Sequence, residues 1–399
     1  MDNNITHICI ITQSHICRNP RALKEATLLA ANNYKVTIIT SSISAQLHEQ
    51  DLSLIDAYPN INIKLVSRLS LTDRLLNKAG RFLTAKLGIQ TALALGYGTY
   101  KYYNICKTVN ANLYICHQEL ATYMGTLLIA VGYKAGFDLE DWYSEDLLPV
   151  ARKARPEKLL KQIESTALNK SLFCLATSNA MAEKLSKVYL SEKPTVIYNV
   201  FQSRVDLLQQ QKTFAWPLKL CWFSQTIGPG RGLEHFFSVI NSFHNPLQIH
   251  LLGNISPAYK DKLKLFFPKQ HQLFFHSIVA THQLAEKIAD FDIGLALEPN
   301  TPLNKNYTIS NKFFQYIQSG LPVIATKTTG QEEAFEKYKP GFMLSQQPTH
   351  HEIALLEKWL NNPAELQAAK ERAIAASKEY NWENESKKLL AIIKNALEK

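Results

Sequence analysis

At 399 residues the chain is too long for one ordinary hydrophobic core, so two domains are expected. With 46% apolar and 20% charged residues it is not extensively disordered, and no window of roughly 18 uninterrupted apolar residues marks a membrane span. A formal charge of +10 suits phosphorylated substrates or anionic lipid headgroups. Nucleic acid fits least, because no dense Lys/Arg run is interleaved with aromatics.

The N-terminus, MDNNITHICIITQS, has no basic stretch leading into an apolar core, so no signal peptide is expected. Six cysteines are scattered without a C-x-x-C pair, which argues against a zinc or disulfide framework and fits a reducing cytoplasm. Apolar, β-branched runs then alternate with helical stretches: His7–Thr12, Lys35–Thr40, Asn62–Val66, Asn112–His117, Ala135–Leu139, Leu172–Thr177 and Thr195–Asn199. Between the first two, Pro20 to Ala31 reads as a helix with Leu23, Thr27, Leu28 and Ala31 on one face. Strands apolar on both faces and separated by helices imply a parallel sheet covered on both sides.

The region Leu69 to Lys107 sets Arg74, Lys78, Arg81, Lys86, Lys101 and Lys107 among leucines and tyrosines. It reads either as a surface lying on a membrane or as a helix pair packed on its own domain with basic residues facing water. Arg18 and Arg21 lie beside the carboxyl end of the first strand, and His117 ends a later one. Asp138, Glu140 and Asp141 mark the end of the next; they read as contacts to a ligand or as a solvated acidic loop.

Gln209-Gln210-Gln211-Lys212-Thr213, then Trp216-Pro217, reads as a linker between domains 1–205 and 214–379, with 380–399 expected to return to the first. A second strand set follows: Leu218–Phe223, Gln248–Leu252, Leu273–His276, Asp292–Leu297, Pro322–Thr326 and Phe342–Leu344. Two doubly wound α/β domains with a cleft between them are the expected architecture, with ligands beyond the strands' carboxyl ends. Ser224 to Glu234 contains Gly228, Gly230 and Gly232, which let backbone approach a ligand, and Arg231, which can clasp phosphate oxygens. It is neither a Walker loop nor a GxGxxG fingerprint. Gly253 and Glu298 follow the next strands. Tyr307 to Thr326 reads as a loop, a helix capped by Ser310 or Asn311, and a buried strand. The amides and dipole of that helix suit an anion, with Lys312 adding charge and Gln315 on the same face.

These residues, in this order, resemble the C-terminal domain of family 4 glycosyltransferases, retaining enzymes of GT-B architecture. Arg231-Gly232 is similar to the family's diphosphate-binding turn, Leu251-Leu252-Gly253 to the next strand, and His276-Ser277-Ile278-Val279 to the loop holding the base through backbone groups. Ala289 to Leu295 and Gly320 to Ala325 match its later strands. Arg18 to Glu25, Tyr34 to Thr37, Cys116-His117-Gln118-Glu119, Ala176 to Asn179 and Val196 to Val200 resemble its N-terminal half. Two departures stand out. The family's paired glutamates are Tyr307 and Gln315 here, and an expected arginine is Thr226. Gln315 can still hydrogen-bond a ribose, without the charge.

The resemblance implies sugar transfer from a nucleotide-diphosphate sugar to an acceptor hydroxyl, with retention and without a metal or other cofactor. Arg231 and Lys312 would stabilise the departing diphosphate and His117 would face the sugar. Arg21, Glu119, Asp138, Asp141, Thr226, Gly228, Gly232, Gly253, Ile278, Val279, Glu298, Ser310, Asn311 and Gln315 would contact substrate. Asp290-Phe291-Asp292 matches the D-x-D of a different fold but reads as structural. A saccharide or lipid-linked saccharide acceptor and a cytoplasmic protein, at most peripheral at the inner membrane face, complete the expectation. A nucleotide-sugar epimerase of the same fold and a non-catalytic nucleotide-sugar-binding partner are the alternatives.

Overall fold

A computed structural model describes residues 5–66, 70–209 and 213–399. Leu69 and the centre of the expected linker, Gln210 to Lys212, lie outside the described residues. The chain divides into two units, one running up to Ile197 and including Ser386–Lys399, the other Tyr198–Glu385. The last helix, Trp382–Glu398, therefore crosses the division.

The first unit holds seven parallel strands: β1 (His7–Ile11), β2 (Lys35–Thr40), β3 (Ile61–Leu65), β4 (Leu113–His117), β5 (Ala135–Leu139), β6 (Cys174–Ala176) and β7 (Thr195–Val196). Their order is β3-β2-β1-β4-β5-β6-β7. Ile8, Ile10, Ile38, Leu113, Ile115 and Phe137 form the buried centre, as expected of strands covered on both faces. The helix Pro20–Ala31 differs from its expected orientation. It buries Arg21, Ala22, Glu25, Ala26, Leu29 and Ala30, because two of its charged residues find partners inside the domain.

The second unit has six parallel strands: β8 (Leu218–Ile227), β9 (Leu247–Ile255), β10 (Gln272–His276), β11 (Ile293–Ala296), β12 (Val323–Thr326) and β13 (Gly341–Leu344), in the order β10-β9-β8-β11-β12-β13. Both sheets thus reverse direction of growth at their first strand, between β1 and β4 and between β8 and β11. That switch point is where an open α/β sheet leaves room for a ligand.

Two expected turn positions lie within strands instead. β8 and β9 continue past a bulge between Phe223 and Thr226, with Thr226 opposite Asn254 and Ile227 opposite Ile255. Thr226 is therefore an exposed strand residue rather than part of the glycine turn, and Gly253 sits inside β9. Gly253 has φ +145°, and a Cβ there would lie 2.0 Å from the Ser224 carbonyl oxygen. Glycine is required by the neighbouring strand, whatever else binds nearby.

Candidate active site

The second unit's site forms where β8 and β11 end. The turn after β8 closes with Gly232 at φ +82° against Leu297, which delivers Arg231 to the end of β11 just before the helix Leu233–Ile240. β11 leads directly into Glu298. Its backbone is held from both sides by Thr326 of β12: the Glu298 amide donates to Thr326 Oγ1 at 2.7 Å, and that hydroxyl donates to the Glu298 carbonyl at 2.7 Å. Gln346 Nε2 also donates to that carbonyl, at 2.9 Å. A carboxylate fixed this firmly is a structural anchor for charge.

Three groups converge on that buried carboxylate. Lys312 Nζ donates to Oε1 at 3.1 Å, the Ser310 hydroxyl donates to the same oxygen at 2.9 Å, and Lys305 Nζ lies 3.3 Å from Oε2. Burial by itself would raise the Glu298 pKa; the Lys312 and Lys305 charges overcome it and bring it down to about 2. Lys312 is pushed below its ordinary value by burial, opposed by Glu298 and reinforced by the like charges of Lys305 and Arg231. Its ammonium also lies 5.2 Å from the ring centre of buried Trp222.

The helix Asn311–Gln318 is buried from Lys312 onward, and Ser310 is its N-cap residue. The expected cap hydrogen bond is not made. Ser310 directs its hydroxyl to Glu298 instead and makes no side-chain cap, while the Phe313 amide donates to the Ser310 carbonyl at 2.9 Å. An anion at this end would meet the remaining first-turn amides together with Lys312. Gln315 is buried one turn further along. Ile278 and Val279 lie in the loop after β10, with Ile278 exposed, and Gly228 has open space around it. Asp292 accepts the Lys219 amide at 2.8 Å and Asp290 pairs with Lys287 at 2.8 Å, which accounts for both acids of the D-x-D stretch.

The first unit places its candidates differently. His117 is fully buried at the end of β4, with Nε2 2.5 Å from Glu25 and Nδ1 2.9 Å from Glu140 and 3.8 Å from Asp138. Both ring nitrogens are occupied, so the ring is not directed at open space as expected for a group facing a sugar. Burial would lower its pKa; Glu25, Glu140 and Asp138 outweigh that and push it up to about 10. Arg21, expected to contact substrate, is buried and paired inside its own domain: Nε donates to Asp138 at 2.5 Å and Nη1 to the Ile197 carbonyl at 2.8 Å. Asp138 is correspondingly a buried residue of β5 rather than part of a solvated loop. Glu119, in the first turn of helix Gln118–Ala130, pairs with Arg155, and Asp141 is partly exposed in the bend after β5. Glu25, His117 and Asp138 lie close enough to hold a metal ion, but the buried Arg21 guanidinium beside Asp138 already supplies positive charge there.

Lys305, Thr326, Trp222 and Glu25 were not expected from sequence. Lys305 and Glu25 are ordinary surface residue types whose partners lie far along the chain or across a loop. No periodicity marks them.

Residues 231–391 match a family model described as "Glycosyl transferase-like". No curated protein matches the chain in sequence. Among solved structures, a sucrose-phosphate synthase from Thermosynechococcus elongatus is similar at TM-score 0.71 and 12% identity, covering 98% of each chain. A glycosyltransferase from Rickettsia africae is similar at 0.66 and 15%, covering 99% of each. Anabaena HepE in complex with UDP and glucose is similar at 0.65 and 14%, covering 98% of this chain and 100% of that one. At these identities the structures share the fold. The chain has two Rossmann-like domains of GT-B type, and most of the second is similar to the glycosyl transferase-like family model.

Proposed function

We propose that this chain is a retaining, metal-independent glycosyltransferase of family 4 that takes a sugar from a nucleotide-diphosphate donor. One observation carries the reading: Lys312 and Lys305 both pair with the buried carboxylate of Glu298 and Arg231 adds a like charge that acts on Lys312, so positive charge is in excess where a switch point and the start of a helix coincide. A departing diphosphate is the ligand whose charge and size that excess suits.

In the transfer, the bond between the anomeric carbon and the diphosphate oxygen breaks, and its electron pair leaves with the diphosphate. The acceptor hydroxyl oxygen bonds to that carbon, and its proton passes to the departing phosphate oxygen. Arg231, Lys312 and the first-turn amides stabilise the growing negative charge. Gln315, buried in the same helix, would supply a hydrogen bond to the donor's ribose. Ile278 and Val279 offer backbone groups to the base, while Gly228 and Gly232 leave room for the ligand. The buried His117 cluster serves as a framework for the first unit. A saccharide or lipid-linked saccharide supplies the hydroxyl. Six free cysteines suit a reducing cytoplasm.

The test is incubation with a panel of UDP-, GDP- and ADP-sugars, measuring nucleotide release and the stereochemistry of any product. Release that falls on the order of 10²-fold or more in Arg231→Ala and Lys312→Ala, with the anomeric configuration kept, supports the reading. Interconversion of sugars would identify an epimerase, and tight binding without turnover a non-catalytic partner.

A further inference from the structure

The helix Leu71–Leu87 is turned inside out relative to an ordinary surface helix. The centre of the stripe it presents to its own domain is small and polar (Asp73, Asn77, Gly80 and Thr84), with Leu83 half-buried and Leu76 37% exposed at its margin. Asp73 is buried, accepting from the Ser70 hydroxyl at 2.8 Å and pairing with Lys101 at 3.3 Å. Asn77 Nδ2 donates to the Leu93 carbonyl at 2.7 Å, and Thr84 Oγ1 donates to the carbonyls of Gly80 and Ile89, each at 3.0 Å. A Cβ at position 80 would come within 2.7 Å of Leu93. The domain therefore fixes this helix by its polar side.

At about 100° per residue, the residues opposite that stripe are Leu71, Leu75, Lys78, Phe82 and Lys86. Leu71, Leu75 and Phe82 are 76%, 65% and 59% exposed, and Leu87 and Ile89 carry exposed apolar surface past the helix end. Arg74 and Arg81 flank the ridge. The helix's single acidic residue is Asp73, on the buried side, so its outward surface is apolar and basic throughout.

Charge selects the occupant. A second copy of the same face would set four cations against four. An anionic bilayer takes both features together, with leucine and phenylalanine entering the acyl boundary and arginine and lysine reaching the headgroups. No helix among the described residues is long and apolar enough to cross a membrane, so the contact lies in the interface plane. We infer that helix Leu71–Leu87 docks flat on an anionic lipid surface through Leu71, Leu75 and Phe82, with Arg74, Lys78, Arg81 and Lys86 at the headgroups. This stands independently of the donor chemistry.

The test is co-sedimentation of the full chain with vesicles of phosphatidylcholine alone or with about a third phosphatidylglycerol. The full chain is expected to bind the anionic vesicles, less so as salt rises. Leu71→Ser/Leu75→Ser/Phe82→Ser is expected to lower partitioning at least about ten-fold with its melting temperature unchanged, because all three side chains face outward. Changing Arg74, Lys78, Arg81 and Lys86 to Gln is expected to lower anionic preference by roughly five-fold per charge. If the triple variant melts early, Phe82→Ser and the charge variants decide alone. Absence of vesicle binding, equal binding by the variants, or a lipid-independent dimer abolished by the triple variant would each overturn the inference.

Discussion

Replacing His117 by Asn removes a cation that, beside Arg21, faces Glu25, Asp138 and Glu140, while leaving a polar side chain of smaller size. The folded-state pKa of His117 is raised from 6.5 to about 10. Its contribution to stability is therefore complete below pH 6.5 and is lost as pH rises through 10. Linkage puts that contribution at about 4 kcal/mol at pH 7 and roughly 1 kcal/mol at pH 9. The first figure agrees with the ~3–5 kcal/mol lost when one partner leaves a buried ion cluster. Lys24, pushed down to about 7 chiefly by burial and then by Arg21, titrates in both proteins and cancels in the comparison. The gap between wild type and variant should thus narrow by about 2–3 kcal/mol between pH 7 and pH 9, or roughly 5–10 °C in melting temperature. Urea-dependent hydrogen exchange in peptides covering β4 and β5 reports the first unit by itself. A gap that stays constant, or widens on the alkaline side, would refute a charged His117.

Glu298→Gln should destabilise the second unit by about 3 kcal/mol at pH 7, since it strands Lys312 and Lys305. Because the Glu298 pKa is depressed to about 2, the deficit should shrink to less than half by roughly pH 3, which urea unfolding at both pH values checks. Glu164 has its pKa raised to about 7, above all by burial, so wild type should lose about 3 kcal/mol between pH 4.5 and pH 8. Glu164→Gln should abolish that loss, and a stability profile across the interval tests it. Gly253→Ala should cost about 3 kcal/mol or more, because its Cβ would strike the Ser224 carbonyl, whereas Gly228→Ala meets open space and should stay within about 1 kcal/mol. Thermal melts of the two variants side by side make the comparison.

Local periodicity reports how apolar groups divide between core and water, and that much this chain declares openly. Alternating β-branched runs and helices prescribe two parallel sheets, and the residues after each strand name Arg231, Glu298 and Lys312 as neighbours at one sheet edge. Strand limits were less legible: β8 runs on to Ile227 because its pairing with β9 continues past a bulge, an effect of the partner strand. The same holds for charge. Glu25 and His117 stand 92 positions apart, Arg21 and Asp138 stand 117 apart, and nothing local tells either pair that it will be buried together. The helix Pro20–Ala31 therefore turns a charged side inward that its apolar pattern assigned outward. Helix Leu71–Leu87 faces Leu71, Leu75 and Phe82 to solvent because Asp73, Asn77, Gly80 and Thr84 are what its own domain binds. Sequence settles which elements exist and in what order. Only folding in three dimensions decides which polar groups satisfy one another, because a buried charge is tolerated solely beside a partner that distant chain delivers.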